Sequence, residues 1–368
     1  MGGVIMASSK HKKLSKLFNE IKEPKKLDPK KDKCVIFSDQ HIGMPEFDQN
    51  KNLYMKALKY YFNAEFELVV LGDYEELHRY GIKELKKRYN DVYAYEYKFL
   101  EKRRYYRIFG NHDIDWRIDN RAKKQLGDVM PGLKIVEALK FEWNGYCIFL
   151  AHGHQGDFIN DKMGKVGRII LRYPARWLGI SSLTSPAKRY TKRRKDEEAY
   201  YSWAKQNKVL FIAGHTHRPM FESLTKADRI RIDIENKLRE LVGETDRNIR
   251  QKKEKEIEKK KAEFYQVRKD EGEEAKSTGF GQGDLVIPCY SNDGSCLHEN
   301  GITCIEIDKT KIRLILIYDK ALKASIGKDK RAPTTDLLPN DPEAVNYKRQ
   351  ILEEEDLDYI FTRIQLIS

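Results

Sequence analysis

Five short polar motifs, each directly after an apolar run of β character, constrain this chain more than any other feature. They are Ser38-Asp39-Gln40-His41, Gly72-Asp73, Gly110-Asn111-His112-Asp113, His152-Gly153-His154 and Gly214-His215-Thr216-His217. Carboxylate, amide and imidazole groups in this mixture suit two neighbouring divalent metals, and the strand ends of a rigid sheet can aim them at one place. The fold must therefore bring several strand ends together. Six of the nine histidines (His41, His112, His152, His154, His215 and His217) fall in these motifs, which scattered core or surface histidines would not do. His11, His78 and His298 read first as ordinary side chains, with a pocket-lining role left open for His78 and His298.

Strand signals at Lys33–Ser38, Glu67–Leu71 and Tyr105–Phe109 alternate with helical patterns around Tyr54–Phe62 and Lys83–Tyr97, a β-α-β-α-β order. Further strands are expected at Tyr146–Ala151, Val209–Ala213, Met220–Leu224, Leu285–Cys289, Gly301–Ile307 and Ile312–Tyr318. Alternation in the first half and hairpin-like spacing in the second predict an α/β (α+β) fold of stacked sheets flanked by helices. This domain is expected to span 33–320. Residues 1–32 form a basic leader whose Leu14, Leu17, Phe18 and Ile21 recur at helical spacing and should pack on the domain. Residues 321–368 read as a linker with Pro333, Pro339 and Pro342, then a helix carrying Ile351, Leu352, Leu357, Ile360, Phe361 and Ile364.

Two insertions interrupt the domain. The net charge is +13, and between Phe158 and Lys195 eleven Lys and Arg residues meet one acid, Asp161, so this stretch alone carries +10. It lies in a cationic helical cap expected over 158–206, where Arg168, Arg172 and Arg176 interleave with Ile169, Ile170, Leu171, Tyr173, Trp177, Leu178 and Ile180. An anionic partner should be met there. The second insertion, 226–279, is dense in Lys and Glu and has a helical stripe of Ile230, Ile234, Leu238, Leu241 and Val242 before the turn-forming Gly243-Glu244-Thr245-Asp246. It reads as a helical hairpin, either a solvated charged arm or a contact for a homo-oligomer.

Five cysteines, an odd number without paired spacing, point to reduced thiols and a cytoplasmic protein. Cys34 and Cys147 fall in core strands, and Cys289, Cys296 and Cys304 are too irregularly spaced for a zinc site. No secretory or membrane-spanning segment is apparent in the sequence.

Asp39 and His41 are two apart at a strand end, so both side chains can leave on one side. Asp73 can bridge two ions through its two oxygens. Asn111 can offer an amide oxygen while His112, held by Asp113, stays free for proton or charge work. His152 reads as a ligand; His154 reads as a ligand, a support for one or a substrate contact. His215 and His217, on alternate residues, can reach neighbouring ions.

As an ordered set these motifs resemble the calcineurin-like metallophosphoesterase superfamily, from about Cys34 to Pro219 and more weakly through Tyr290-Ser291-Asn292-Asp293-Gly294-Ser295 to Ile307. The resemblance implies two mixed β-sheets between helical layers. It also implies one metal on Asp39, His41, Asp73 and His217, and a second on Asp73, Asn111, His152 and His215, with Asp73 as the bridge. The implied ions are most simply manganese, with iron or zinc also in keeping with a nitrogen and hard-oxygen set. The implied reaction is cleavage of a phosphoester or pyrophosphate bond by metal-activated hydroxide, with His112 assisting and Asp113 orienting its ring.

Glu75 and Glu76 after Gly72-Asp73, the basic insertion and the closing Arg218-Pro219 look most like the branch containing UDP-2,3-diacylglucosamine pyrophosphohydrolase. That resemblance implies a nucleotide-linked or lipid-like phosphorylated substrate, contacted by His154, Arg168, Arg172, Arg176 and Arg218, and peripheral contact with an anionic membrane. The sequence after His152, Gly-His-Gln-Gly-Asp, departs from that branch. The alternative is a phosphodiesterase acting on nucleic acid through the same cationic segment, with Tyr173, Trp177, Tyr190 and Tyr200 available to stack on bases. A third reading is a catalytically silent scaffold.

Overall fold

The structure, a computed structural model, describes residues 2–118, 120–156, 186–242, 244–270, 285–299, 301–321 and 333–368, without the side chains of 2–8, 186–191 and 270. Arg168, Arg172, Arg176 and most of the expected cationic cap therefore lie outside the described residues.

The apolar runs that precede the motifs become parallel strands. In an eight-stranded sheet, β2 (Lys33–Phe37), β3 (Glu67–Leu71), β4 (Tyr105–Ile108) and β5 (Ile135–Val136) pair in parallel. On the other side of β2 the same sheet continues antiparallel through β10 (Ile302–Asp308), β11 (Lys311–Asp319), β13 (Tyr347–Asp356) and the short β12 (Thr334–Asp336). A five-stranded sheet contains, in order, β1 (Lys25–Leu27), β6 (Ala138–Trp143), β7 (Tyr146–Ala151), β8 (Leu210–Ala213) and β9 (Tyr290–Asn292). Only its β6–β7 pair is antiparallel.

Alternation explains why the central strands read as unbroken apolar runs. Cys34 and Ile36 of β2 and Val69 and Leu71 of β3 belong to the core shared with the five-stranded sheet. Val35, Phe37, Leu68 and Val70 face a second core beneath α2 (Pro45–Asn63), α3 (Ile82–Arg88) and α4 (Asn90–Glu101). Both faces are buried, so no polar face interrupts the pattern. Between β4 and β5 runs the short α5 (Arg121–Leu126). On the five-stranded side, α1 (Gly2–Glu20) and α6 (Pro186–Asn207) lie together, with Phe18 and Trp203 packed on Phe149. The result is two mixed sheets flanked by helices.

The arm folds as α7 (Lys226–Val242) and α8 (Arg247–Asp270), which pair through Lys226–Glu263, Lys237–Glu256 and Lys260–Asp233. Among the described residues no helix is long and apolar enough to cross a membrane.

Several expected elements differ. Met220–Leu224 forms isolated bridges and a tight turn rather than a strand, because Ser223 and Met220 bond back to Tyr290 and Asn292. Leu285–Cys289 is irregular, and the strand begins only at Tyr290. The 321–368 segment, expected as linker then helix, supplies β12 and β13 before α9 (Leu357–Ile367), so Ile351 and Leu352 lie in a strand and not in the expected helix. Charges hid β13: Arg349 pairs with buried Glu306 and Glu354 with Arg313, so cross-strand ion pairs stand where apolar alternation would otherwise mark a strand. The cysteines at 34, 147, 289, 296 and 304 are all free thiols.

Candidate metal centre

The motifs follow the C-terminal ends of two sets of mutually parallel strands, β2, β3 and β4 in one sheet and β7 and β8 in the other, the position where open α/β sheets place their sites. Backbone bonds continue past the strand ends and stitch the loops together: Asp39 N–H to Gly72 O at 3.0 Å, His41 N–H to Asp73 O at 2.9 Å and Gly214 N–H to His152 O at 3.1 Å. Gly72 has a φ of +94°, and a Cβ there would sit 2.6 Å from His152 Cγ, so the Gly72-Asp73 loop can approach the His152 ring only with glycine.

Two carboxylates form the base of the cup, and each has one oxygen anchored and one presented. Asp39 Oδ2 accepts from the His215 N–H at 2.9 Å and from Ser38 Oγ at 2.5 Å. Its Oδ1 faces His217 Nε2 at 3.0 Å, His41 Nε2 at 3.7 Å and His152 Nε2 at 4.0 Å. Asp73 Oδ1 accepts from the His112 N–H at 2.7 Å, while Oδ2 faces the Nε2 atoms of His152 at 3.2 Å, His41 at 3.7 Å and His112 at 4.0 Å. The imidazoles are aimed from behind in the same manner. His152 Nδ1 bonds Leu71 O at 2.9 Å, and Glu76 takes both His41 Nδ1 at 3.0 Å and His112 Nδ1 at 2.9 Å, which leaves each Nε2 turned into the cup.

Ligating atoms gather in two groups, Asp39 with His41 and His217, and Asp73 with His152 and His215, each within 4.8 Å. Asp73 also groups with His41 and His112. Asp39 Oδ1, Asn111 Oδ1 and His152 Nε2 are buried without a hydrogen-bond partner, a costly state for polar atoms. Asp39, His41, Asp73, His215 and His217 all hold positive φ values, between 46° and 69°. Such left-handed backbone is rare outside glycine and concentrates where a site demands it. The donor set contains no thiolate, and it fits two divalent cations of the kind that take carboxylate, amide and imidazole ligands.

The electrostatics match. Burial works to raise the Asp39 carboxyl, but the His217 and His152 rings outweigh it and hold it well below the usual range. Burial likewise works to lower His41, yet the Asp39 carboxylate facing its Nε2 and the Glu76 carboxylate bonded to its Nδ1 carry it up to about 10; for His152 the charges of Asp73 and Asp39 overcome burial and carry it to about 9. These carboxylates favour positive charge at the imidazoles.

Two expected site residues, Asp113 and Arg218, take other partners. Asp113 does not touch the His112 ring; it is buried, and accepts from the Gly110 and Tyr74 N–H groups at 2.6 and 3.1 Å. Burial beside Glu75 and Asp73 raises its carboxyl to about 7. Glu76, not Asp113, orients His112. Arg218 is buried and pairs with Glu197. His154 is buried with its ring 6.1 Å from that of Phe109 and belongs to neither ligand group. His78 does reach the rim, its ring stacked 4.7 Å from that of His112.

Sequence reasoning missed the role of Glu76, whose signal was only an acid three residues after Asp73. It also missed how Asn292 and Asp293 act. Asn292 Nδ2 donates to Gly214 O at 2.7 Å and Thr216 Oγ1 at 3.2 Å, fixing the last motif, and Asp293 lies 2.7 Å from the Ser38 hydroxyl that braces Asp39.

A family model described as calcineurin-like phosphoesterase matches residues 33–219, just over half of the chain. No curated protein matches it.

Proposed function

The chain belongs to the calcineurin-like phosphoesterase family, and on that premise we propose that it hydrolyses a phosphoric ester or anhydride with two divalent cations, most simply Mn2+. The observation that carries this reading is the paired ligand set, in which Asp39 and Asp73 each turn one unanchored oxygen toward imidazole nitrogens on a strained backbone. In it, Asp39, His41, Asp73 and His217 would hold one cation and Asp73, Asn111, His152 and His215 the other, with Asp73 common to both sets. Bound there, the cations supply the Lewis acidity that makes water nucleophilic near neutral pH and offsets charge on the phosphoryl oxygens.

The protein groups do the rest. His112 stands at the open side of the cup, its side chain about a third exposed, whereas His41 and His152 are buried. With Nδ1–H given to Glu76, the His112 Nε2 can carry a proton to the leaving oxygen or donate to a phosphoryl oxygen. The substrate is a phosphorylated small molecule or lipid-like compound, met by the basic 158–206 segment. A screen tests this: metal-depleted protein assayed with and without Mn2+ on p-nitrophenyl phosphate, bis-p-nitrophenyl phosphate, a UDP-linked lipid and a single-stranded oligonucleotide. Mn2+-restored hydrolysis of the aryl or lipid esters is expected. Hydrolysis of the oligonucleotide alone would overturn the substrate class, and a protein that neither binds Mn2+ nor cleaves any of the four would overturn the whole reading.

A further inference from the structure

We propose that α6 is a positioning element of the metal centre, with Tyr200 and Glu197 as positioning residues and Lys10 of α1 as their support. The inference rests on the metal-centre reading above and concerns residues outside the five motifs. Tyr200 Oη donates to the carbonyl of Gly153, the residue between His152 and His154, and Lys10 Nζ reaches the same oxygen at 3.4 Å. Lys10 is only 1% exposed, pairs with Asp196 at 3.2 Å and lies 5.3 Å from the centre of the Tyr200 ring. A lysine that buried must answer a local need for charge and a donor.

Gly153 shows how tight the arrangement is. Its φ is +113°, and a Cβ there would fall 2.9 Å from Tyr200 Oη and 3.3 Å from His215 Cβ. The His152 loop, the His215 loop and α6 thus meet at one glycine. Three residues before Tyr200 and on the neighbouring face of the helix, Glu197 pairs with Arg218, the residue after His217. One helix therefore grips both histidine-bearing loops of the five-stranded sheet. α1 backs it through His11 Nε2 with Ala199 O at 3.1 Å and through Trp203 Nε1 donating to Ser15 Oγ at 3.0 Å.

Partners that orient metal ligands from behind typically govern affinity or activity by about 10- to 100-fold. A helix that only covers the sheet would instead affect melting alone. The discriminating variants are Tyr200→Phe, which removes one hydroxyl, and Lys10→Met; Glu197→Gln is a third, and Tyr200→Phe carries the test if Glu197→Gln does not fold. Metal-depleted full-length protein is titrated with Mn2+ by calorimetry, and turnover of bis-p-nitrophenyl phosphate is measured at saturating Mn2+. Tyr200→Phe is expected to weaken Mn2+ binding or turnover by about tenfold, with a further loss when it is combined with Lys10→Met. Wild-type Mn2+ affinity and turnover in Tyr200→Phe and in Lys10→Met, alongside a wild-type protein that binds Mn2+, would overturn the positioning role alone. Absence of Mn2+ binding in the unsubstituted protein would overturn the metal centre and this inference with it.

Discussion

Glu76→Gln probes the centre most sharply, because one buried carboxylate serves two rings. Glu76 accepts from His41 Nδ1 at 3.0 Å and from His112 Nδ1 at 2.9 Å, and is 2% exposed. Glutamine keeps one acceptor oxygen and places an NH2 group against the other ring. That ring must then turn or take the opposite tautomer, which puts a proton on the Nε2 that faced the cup. Loss of one charge-assisted bond is worth about 1.5–3 kcal/mol, or roughly 10- to 100-fold in kcat/KM or in Mn2+ affinity. Which quantity falls reports which ring gave way: affinity for His41, turnover for His112. Steady-state hydrolysis of bis-p-nitrophenyl phosphate across pH, together with Mn2+ titration, resolves the two. Asp113→Asn is the control. It strands one of two buried backbone N–H groups, at Gly110 or Tyr74, and should lower stability by about 1–3 kcal/mol without removing the His112 Nδ1 bond. Wild-type kinetics and Mn2+ affinity in Glu76→Gln, with the pH–rate profile displaced only in Asp113→Asn, would refute this account of who orients His112.

The other predictions follow from the same geometry. Asp73→Ala removes the shared carboxylate and should abolish both Mn2+ occupancy, measured by elemental analysis, and hydrolysis. His112→Ala should retain Mn2+ yet slow turnover by about 10²- to 10⁴-fold; equal loss of metal would place His112 among the ligands instead. Metal-free protein should lose stability as pH rises. The folded values of His41 and His152, raised to about 10 and 9, mean that their contribution is full below the ordinary imidazole value of about 6.5 and fades as pH climbs through 9 and 10. Mn2+ must displace those protons, so its affinity should rise over the same range. Melting curves in EDTA from pH 6 to 9, and calorimetric proton release near pH 7, check both; an EDTA melting temperature that climbs with pH would contradict them.

The sequence carried what local order can encode. Apolar runs followed by Asp, Asn or His announced both the parallel strands and the residues their ends deliver, and Asp39, His41, Asp73, His152, His215 and His217 do come together. Ordering along the chain was enough, because a strand end is defined by its own few residues. Some structure was legible and passed over: the Asn144-Gly145 pair between Trp143 and Tyr146, both at positive φ, is a hairpin signal that gives away β6. Other features were not legible at all. Whether Asp113 or Glu76 holds His112, whether Arg218 meets a substrate or Glu197, and whether charged β13 completes a sheet depend on partners brought together by folding. Glu76 lies 36 residues from His112, and Glu197 lies 21 from Arg218. A buried charge takes whichever opposite group the tertiary packing sets within hydrogen-bonding reach, since water is excluded and leaving it unpaired is too costly. Spacing along the chain does not determine that distance; the packed layers do.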